Sequence, residues 1–395
     1  MVYLNFAAAT QAGRGRPDRL RLELADGTVA LAGSAANVRW LTALAGVAHV
    51  YYDRGVLYAL TGSEGGCHVV APASELGWIC EVYDSALVHA HGAFVYRGDD
   101  GRLGPHAAHA RQGGTTPAEA ILEAMAQLPD ARRIVHDGHL PADVVQALKD
   151  ARPDLTIDND ATIFTRARRI KDRYELDCLR QANLACEAGI TVAIEEARTG
   201  MTEREMLRVV RRAMVDFDAH PLLSALGFSE RGALVDMPVS DRALRPGDII
   251  RFDIGCTVDG YHADMSRTAV FGPLDPQLRD LHAGLVAAEQ AAIARVHPGA
   301  RAGDVFDAAV DAARAAGVHD YDRTHCGHGI GLEIYEPPSV TRQADDLLEA
   351  GMTLCIETPY YLLGRAGLQI EDAIVVTDSG AERLGDLPQE LLIAG

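Results

Sequence analysis

Hydrophobic spacing differs between the two ends of the chain. Up to about residue 160, short β-like apolar runs alternate with helical patterns. Residues 51–60 predict a hairpin about Asp53-Arg54-Gly55, and Thr116 with Glu119 predicts a capping box ahead of a helix. Polar and proline-containing interruptions at 152–154 and 158–160 end this pattern. We therefore predict one domain over residues 1–160 and a second over 161–395.

Long amphipathic helices are predicted in the second region. An apolar stripe follows Lys171, and Thr202 with Glu205 forms a capping box for the next helix. Two further helices are predicted over about 276–296 and 303–316, separated by His297-Pro298-Gly299.

The same region contains an internal repeat. A helix–glycine–helix pattern around residue 200 recurs 99 residues later. Gly247 and Gly351, which are 104 residues apart, each precede a strand that ends in a carboxylate six residues on, Asp253 or Glu357. These matched offsets favour a duplicated helix–helix–strand–strand unit. Such a unit would bury its sheet under its helices and bring the matching acids together.

The first of these strands predicts a β-hairpin over 247–268. Asp259-Gly260 suits a two-residue type I′ turn, so paired residue numbers sum to 519. Asp253 and Asp264 then point to one side as diagonal neighbours, roughly 7–8 Å apart, while the residues flanking Asp253 face the core. Two converging acids repel one another unless a cation or a shared proton compensates. A metal site and a solvated acidic strand both remain open at this point.

The second strand pair carries Glu357 and Glu371. A simple hairpin about Gly364–Gly367 would leave these two acids one residue out of register, on opposite faces. A bulge at Pro359, which cannot donate to a strand ladder, would correct the offset. We adopt that bulge as an assumption, since it would bring both acids to the same face.

His328 is the remaining candidate ligand, since glycines on both sides let the backbone approach a bound group. Cys326 beside His325 resembles a nucleophile–base pair, but adjacent residues rarely have the necessary geometry. The pairs His89/His91 and His136/His139 have no converging acids, and we interpret them as loop or core residues.

Composition narrows the functional classes. A chain of 395 residues suggests two domains, and 48% apolar with 24% charged residues is typical of a globular protein. The formal charge of −19 disfavours nucleic acid and anionic membranes as partners. Seven scattered cysteines without a CxxC pair argue against a disulfide framework and structural zinc. This cysteine usage favours the reducing cytoplasm, and the N-terminus shows no basic segment ahead of an apolar stretch that would indicate a secretory signal.

Together these residues resemble the metallopeptidase clan with the pita-bread fold, which contains methionine aminopeptidases, Xaa-Pro aminopeptidases, prolidases and creatinase. The resemblance is carried by FDIG…DGYHADMSRT, GHGIGLEIYEPP, IETPYY and QIEDAIVVT. The segment Ser34–Thr42 is similar to the N-terminal domain of the creatinase/prolidase branch. The implied architecture is a smaller α/β N-terminal domain and an α+β pita-bread catalytic domain with a pseudo-twofold ααββ repeat.

The resemblance implies a five-ligand dinuclear centre of Asp253, Asp264, His328, Glu357 and Glu371. Asp264 and Glu371 would bridge two divalent ions, Mn²⁺ or Co²⁺ by preference and Zn²⁺ as a further option. A bridging hydroxide would attack the Xaa-Pro bond of a dipeptide, and Glu357 would shuttle the proton.

Several positions depart from the family pattern. Asp236, Thr324 and Tyr335 stand where histidines are usual, 17 residues before Asp253, four before His328 and seven after it. Gln369 replaces an Arg that commonly comes two residues before the last ligand. The Tyr335 hydroxyl can still donate to an oxyanion, and His325 or His262 could substitute for a missing histidine.

We consider three functional hypotheses. The first is a prolidase-type homodimer acting on short proline-containing peptides, with the longer-peptide specificity of an Xaa-Pro aminopeptidase left open. Asp236 and Tyr335 would contact substrate, and Arg342 would either bind its C-terminal carboxylate or be a solvated surface residue. The second hypothesis, suggested by the replaced histidines, is creatinase-like hydrolysis of a small non-peptide C–N bond. The third is a non-catalytic binding module.

Overall fold

A computed structural model describes residues 15–46, 56–63, 66–94, 115–128 and 131–395. The contacts divide the chain between Arg168 and Arg169 into two compact units. The predicted Asp53-Arg54-Gly55 turn and the preceding Tyr51-Tyr52 lie outside the described residues.

The first unit is built on a mixed six-stranded sheet in the order β4-β3-β2-β1-β5-β6. Its strands are β1 Thr28–Ala32, β2 Tyr58–Thr61, β3 His68–Pro72, β4 Val88–His91, β5 Arg133–His136 and β6 Thr156–Asn159. Its helices are α1 Arg16–Arg21, α2 Ala35–Thr42, α3 Leu76–Val82, α4 Pro117–Met125, α5 Ala142–Ala151 and α6 Thr162–Arg168. The predicted capping box of Thr116 and Glu119 is present at the start of α4.

The second unit contains a nine-stranded, mostly antiparallel sheet with the main order β11-β10-β12-β15-β9-β8-β7, to which β16 and β17 add at β15 and β9. The strands are β7 His220–Phe228, β8 Asp248–Val258, β9 Tyr261–Phe271, β10 Gly327–Gly329, β11 Glu336–Ser339, β12 Thr353–Glu357, β13 Tyr360–Leu362, β14 Ala366–Leu368, β15 Glu371–Thr377, β16 Gly380–Arg383 and β17 Leu392–Ala394. Strands β13 and β14 form a separate two-stranded sheet.

Four helices cover this sheet: α7 Arg173–Glu195, α8 Glu203–Asp216, α9 Pro276–Arg295 and α10 Ala302–Ala315. They pack in two pairs because each pair has its own apolar core. Residues of α7 and α8 bury Ile250 and Phe252 of β8, whereas α9 and α10 bury Leu354 of β12 and Ile374 of β15. No helix in the described part of the chain combines the length and hydropathy needed to cross a membrane.

The predicted internal repeat is confirmed at the level of single hydrogen bonds. The N–H of Gly200 donates to the carbonyl of Leu244 at 2.9 Å, and the N–H of Gly299 donates to that of Leu348 at 2.8 Å. The two glycines have φ of +87° and +84°, a region that favours glycine. In each half, the glycine between the two helices is therefore bonded to the segment that precedes the acid-bearing strand. Each half contributes one acid-bearing strand pair to the same sheet.

Candidate metal centre

The β8–β9 hairpin has the predicted register. Asp253 pairs with Ser266 and Asp264 with Gly255. Both turn residues have positive φ, 47° at Asp259 and 79° at Gly260, as a type I′ turn requires. Phe252 and Ile254, the neighbours of Asp253, lie in the apolar core. The alternation of the strand thus places Asp253 and Asp264 on the opposite face.

The predicted bulge at Pro359 is wrong. Glu357 and Glu371 are directly opposite each other, and Leu362 pairs with Ala366 with the same offset. The chain turns over three residues centred on Gly364, whose φ is +76°. A three-residue turn restores the parity that a two-residue turn would have lost, so both acids share a face without any bulge.

His328 enters the same face from β10. Its Nδ1–H donates to the Gly329 carbonyl at 3.0 Å. Its Nε2 lies 3.8 Å from Asp264 Oδ2 and 3.9 Å from Glu371 Oε1. The backbone comes close because Gly327 has no side chain: a Cβ there would lie 2.2 Å from the Cys355 carbonyl oxygen. The imidazole of His328 therefore directs Nε2 toward the acids.

The donor atoms form two overlapping groups. The first donor group is Asp253, Asp264 and Glu371, and the second donor group is His328, Cys355 and Glu371. Within each group the donor atoms lie within 4.8 Å of one another, and all the residues are buried. Glu371 belongs to both groups, whereas Asp264, the other predicted bridging ligand, belongs to the first group only and the predicted ligand Glu357 belongs to neither. Cys355 was missed by the sequence reasoning, although it comes two residues before Glu357 and so lies on the same face of β12.

The acids of the first donor group are poorly compensated. Burial raises the pKa of Asp253 to about 6, with Glu357 and Asp236 adding to the rise and Arg251 offsetting part of it. Burial and the charges of neighbouring acids also raise the pKa of Asp264 and of Glu371. These shifts mean that Arg251 compensates only part of the negative charge of the cluster.

Glu357 has different surroundings. His325 Nε2 donates to its Oε1 at 2.8 Å, and an Arg323 nitrogen lies 3.6 Å from its Oε2. Burial alone would raise the pKa of Glu357, but the His325 hydrogen bond and the Arg323 charge outweigh it and lower the pKa. The Thr324 hydroxyl lies 3.2 Å from His325 Nδ1. His325 therefore contacts Glu357 through Nε2 and the Thr324 hydroxyl through Nδ1.

A hydroxyl and an amide hold the acids in place. Ser266 Oγ lies 3.1 Å from Asp253 Oδ1 and 3.0 Å from Glu371 Oε2. Gln369 Nε2 donates to Glu371 at 3.5 Å, and its Oε1 accepts from Arg251 at 3.2 Å. Arg251 of β8, which is fully buried, thus supplies a guanidinium near position 369, where the family pattern has an Arg. No sequence motif indicated this substitution.

The remaining predicted residues lie at different places around the cluster. The ring of Tyr335 stacks on His328 with centroids 4.1 Å apart, and its side chain is exposed. Asp236 is exposed, close enough for its charge to act on Asp253. His262 Nδ1 lies 3.2 Å from the Gly331 carbonyl. Arg342 instead packs over Phe306 at 5.3 Å and lies 3.8 Å from Asp307, so its described contacts are with α10.

The donors present fit a divalent metal centre. Asp264 is almost fully buried, yet its Oδ1 has no hydrogen-bond donor among the described residues. A buried carboxylate oxygen without a donor is costly unless a cation or proton occupies its lone pairs. Oxygen and imidazole donors together suit Mn²⁺, Co²⁺ or Zn²⁺.

Known proteins share this architecture. Residues 177–378 match the model for metallopeptidase family M24. A probable dipeptidase PepE of Mycobacterium bovis is 34% identical over 233 residues, 58% of this chain and 62% of the relative. An Xaa-Pro dipeptidase of Pyrococcus furiosus is 31% identical over 229 residues, 57% of this chain and 65% of the relative. The matched stretch therefore spans less than two thirds of each relative.

Solved structures extend the likeness to nearly the whole chain. Dipeptidase PepE from Mycobacterium ulcerans has a TM-score of 0.77 at 27% identity and covers 99% of both chains. An Xaa-Pro dipeptidase from Bacillus anthracis has a TM-score of 0.80 at 20% identity, covering 96% of this chain and 99% of that one. These likenesses confirm the predicted pita-bread fold with its α/β N-terminal domain. The chain belongs to metallopeptidase family M24.

Proposed function

We propose that this protein is a metal-dependent dipeptidase that hydrolyses the Xaa-Pro bond of short peptides. The observation that carries the proposal is the convergence of Asp253, Asp264, His328 and Glu371 in one buried, undercompensated cluster beside Glu357. The similarity to dipeptidases and an Xaa-Pro dipeptidase supports the substrate class.

The metal-binding role follows from the charges. Asp253 would hold one divalent ion, His328 and Glu357 would hold a second, and Asp264 and Glu371 would be shared between the two. These residues would hold ions that supply Lewis acidity toward a scissile carbonyl and lower the pKa of a water molecule. Mn²⁺ or Co²⁺ remains our proposal for the native metal.

Glu357 is the proposed proton carrier. Its lowered pKa keeps the carboxylate ionised and able to accept a proton from the attacking water. His325 holds that carboxylate through Nε2–H, so it fixes the orientation in which the proton is received. The proton can then pass to the leaving proline nitrogen, which cannot depart as an anion.

Substrate contacts are proposed for two exposed side chains at the cluster. Tyr335 would donate its hydroxyl to the oxyanion that develops on the scissile carbonyl. Asp236, which is exposed near Asp253, would attract the positively charged amino terminus of the peptide. Arg342 is held on α10 by Phe306 and Asp307, so we retain its carboxylate-binding role only as a proposal to be tested by substitution.

Organisation and location are further proposals. We assign residues 161–395 to catalysis and residues 1–160 to a creatinase-like domain that limits peptide length, in a homodimer located in the cytoplasm. No disulfide joins the seven cysteines, all of which lie among the described residues, and this supports a reducing compartment.

Hydrolysis of a small non-peptide C–N bond is the second candidate. It is favoured by the acidic Asp236 in place of the usual histidine, because an exposed acid suits a cationic amidine or guanidine substrate better than a neutral carbonyl.

The two candidates are separated by a substrate panel. The metal-free protein is reloaded with Mn²⁺ or Co²⁺ and given matched Xaa-Pro and Xaa-Ala dipeptides, together with creatine as a non-peptide probe. Proline release that is lost in Asp264→Asn and retained in Asp280→Asn, an exposed acid on α9, supports the peptidase. Turnover of creatine without turnover of any Xaa-Pro peptide contradicts it.

A further inference from the structure

Residues 234–237 carry Asp236, the exposed acid that is proposed to attract the amino terminus of the peptide. This stretch, called here the Asp236 segment, turns back on itself. The Leu234 N–H donates to the Arg231 carbonyl at 2.9 Å, and the Met237 N–H donates to the Leu234 carbonyl at 3.4 Å. The first three residues of the segment are exposed. Because an exposed loop opens at little cost, an outside contact is needed to keep Asp236 in one position.

Arg251 of β8 makes such a contact with the Asp236 segment. Its Nη2 donates to the Val235 carbonyl, donates to the Leu234 carbonyl at 3.5 Å and lies 3.6 Å from Met237 Sδ. Arg251 is fully buried, although the segment that it contacts is exposed. Loss of a buried donor leaves its acceptors without that partner, so these contacts favour one arrangement of the segment.

The same guanidinium also reaches the candidate metal centre. Its Nη1 donates to Gln369 Oε1 at 3.2 Å and lies 3.9 Å from Asp253 Oδ2. Arg251 precedes Asp253 by two positions on β8, so both side chains leave the strand on the face opposite the apolar core. The guanidinium carbon lies over the ring of Tyr361, 5.2 Å from its centroid. Arg251 therefore joins the Asp236 segment to a proposed metal ligand and to β13.

The shape of the arginine side chain explains how it makes both sets of contacts. The two terminal nitrogens of its planar fork point in different, fixed directions, one toward the segment and one toward the centre. A lysine has one terminal nitrogen on a flexible chain and cannot reproduce this geometry. Gln369, where the family pattern has an arginine, accepts from this guanidinium instead of supplying one. Placing the guanidinium on β8 thus brings it within reach of the Asp236 segment.

We propose that Arg251 is a positioning residue that keeps Asp236 directed at the amino terminus of the substrate. Arg251 is fully buried and acts through the Leu234 and Val235 carbonyls rather than by touching the substrate. The inference rests on the proposed function, because Asp236 has this role only if the substrate is a peptide with a free ammonium group. The contact between Arg251 and the segment can be tested without any substrate.

Steady-state kinetics on the metal-loaded full-length protein test the positioning role. With an Xaa-Pro dipeptide, Arg251→Lys and Arg251→Gln should raise KM by about tenfold and retain kcat, because binding common to the ground state and the transition state is lost. Asp236→Asn should show the same rise. The double variant Arg251→Lys/Asp236→Asn should show no further rise, since both changes remove one interaction. Arg204→Lys is the matched control, because Arg204 is exposed on α8, contacts Asp241 at 3.0 Å and should leave KM unchanged.

Hydrogen exchange on the metal-free protein tests the contact itself. The amides of residues 234–237 should exchange faster in both Arg251 variants than in the wild type. Their exchange should be unchanged in Arg204→Lys. Elemental analysis of the metal-loaded proteins should find the same bound metal in the wild type and in the Arg251 variants.

The alternative outcomes are distinct. Unchanged exchange of residues 234–237 in both Arg251 variants overturns the positioning role and leaves the peptidase proposal intact. A loss of kcat or of bound metal without a rise in KM overturns it as well, because Arg251 would then act on Asp253 alone. KM increases that multiply in the double variant show that Arg251 does not act through Asp236. A wild type that hydrolyses no Xaa-Pro dipeptide overturns the proposed function and, with it, the substrate role of Asp236.

Folding of the variants is checked separately. A circular dichroism spectrum and the unfolding temperature of each variant show whether it has folded, and the use of two Arg251 replacements guards against one that has not.

Discussion

His325 donates a hydrogen bond of 2.8 Å to Glu357 at the edge of the acid cluster. This contact outweighs, together with Arg323, the effect of burial on the Glu357 carboxyl and lowers its pKa. His325 and Arg323 thus make the pKa of Glu357 differ from the pKa values of the other acids of the cluster. Burial and the charges of neighbouring acids raise the pKa values of Asp253, Asp264 and Glu371, and no comparable contact outweighs that rise.

Replacing His325 should shift the acid limb of activity. In His325→Ala the hydrogen bond is lost while burial remains, so the pKa of Glu357 rises and the ionised form requires a higher pH. We expect the acid limb of kcat to move to higher pH and kcat below neutral pH to fall by about 10²-fold. The measurement is a pH–rate profile with a metal-loaded enzyme.

The control for this profile is His297→Ala, because His297 is exposed after α9. An acid limb in His325→Ala that coincides with that of the control would show that Glu357 does not depend on His325.

Neutralising one acid should stabilise the metal-free protein. Because the pKa of Asp264 is raised in the folded protein, the folded protein binds this proton more tightly than the unfolded chain does. The stability that the bound proton contributes is complete below the ordinary aspartate pKa of 3.8 and is lost as pH rises. For Asp253 this loss runs from 3.8 to about 6. At pH 7, metal-free Asp264→Asn should therefore unfold with a free energy higher than that of the wild type by on the order of 1 kcal/mol.

Urea unfolding at several pH values checks this sign. The advantage of Asp264→Asn should shrink in acid, and added Mn²⁺ should stabilise the wild type but not the variant. Asp280→Asn should behave as the wild type does. A metal-free wild type that is more stable than Asp264→Asn at pH 7 would refute the idea of an undercompensated cluster.

We expect Arg267 to stabilise the start of β15, the strand that carries Glu371. It is fully buried, donates to Asp372 at 2.6 Å and donates to the Glu371 carbonyl at 2.9 Å. Removing it in Arg267→Ala takes away one of the two guanidinium groups that contact the buried Asp372 and leaves Arg383 at 3.0 Å, so unfolding free energy should fall by about 3 kcal/mol. Arg279→Ala removes an exposed partner of Asp280 and should cost at most about 1 kcal/mol. Equal losses in the two variants, measured by urea unfolding, would contradict the structural role.

Substitution of Tyr335 distinguishes the contact of its ring with His328 from hydrogen-bond donation by its hydroxyl. Tyr335→Phe retains the ring that lies 4.1 Å from His328 but removes the oxyanion donor. We expect metal affinity to be unchanged and kcat to fall by about 10²–10³-fold. Metal titration and steady-state kinetics on the same preparation give the two values. Full activity in Tyr335→Phe would assign the oxyanion to another donor.

Local sequence signals predicted part of this centre accurately. The Asp259-Gly260 turn determines the register of β8 and β9, so the common face of Asp253 and Asp264 could be read from the sequence. The Glu357–Glu371 register was harder because the glycines near 364 permit turns of different length, and a change of one residue reverses every face.

Other features depend on contacts far apart in the chain. Arg251 and Gln369 are 118 positions apart and meet only when the sheet closes. Cys355 had a local signal, since alternation along β12 places it on the face of Glu357, but a buried thiol usually indicates packing. Arg342 had no such signal, and its stacking on Phe306 arises from the packing of α10.

If the buried acids of the two repeats hold a pair of divalent ions, anomalous diffraction from crystals of the full-length protein soaked in Co²⁺ will locate both ions. We expect two peaks about 3.5–4 Å apart, with Glu371 between them and Asp253 and His328 on opposite sides. Peaks only at surface acids, with an empty Asp253–Asp264–Glu371 cluster, would contradict it.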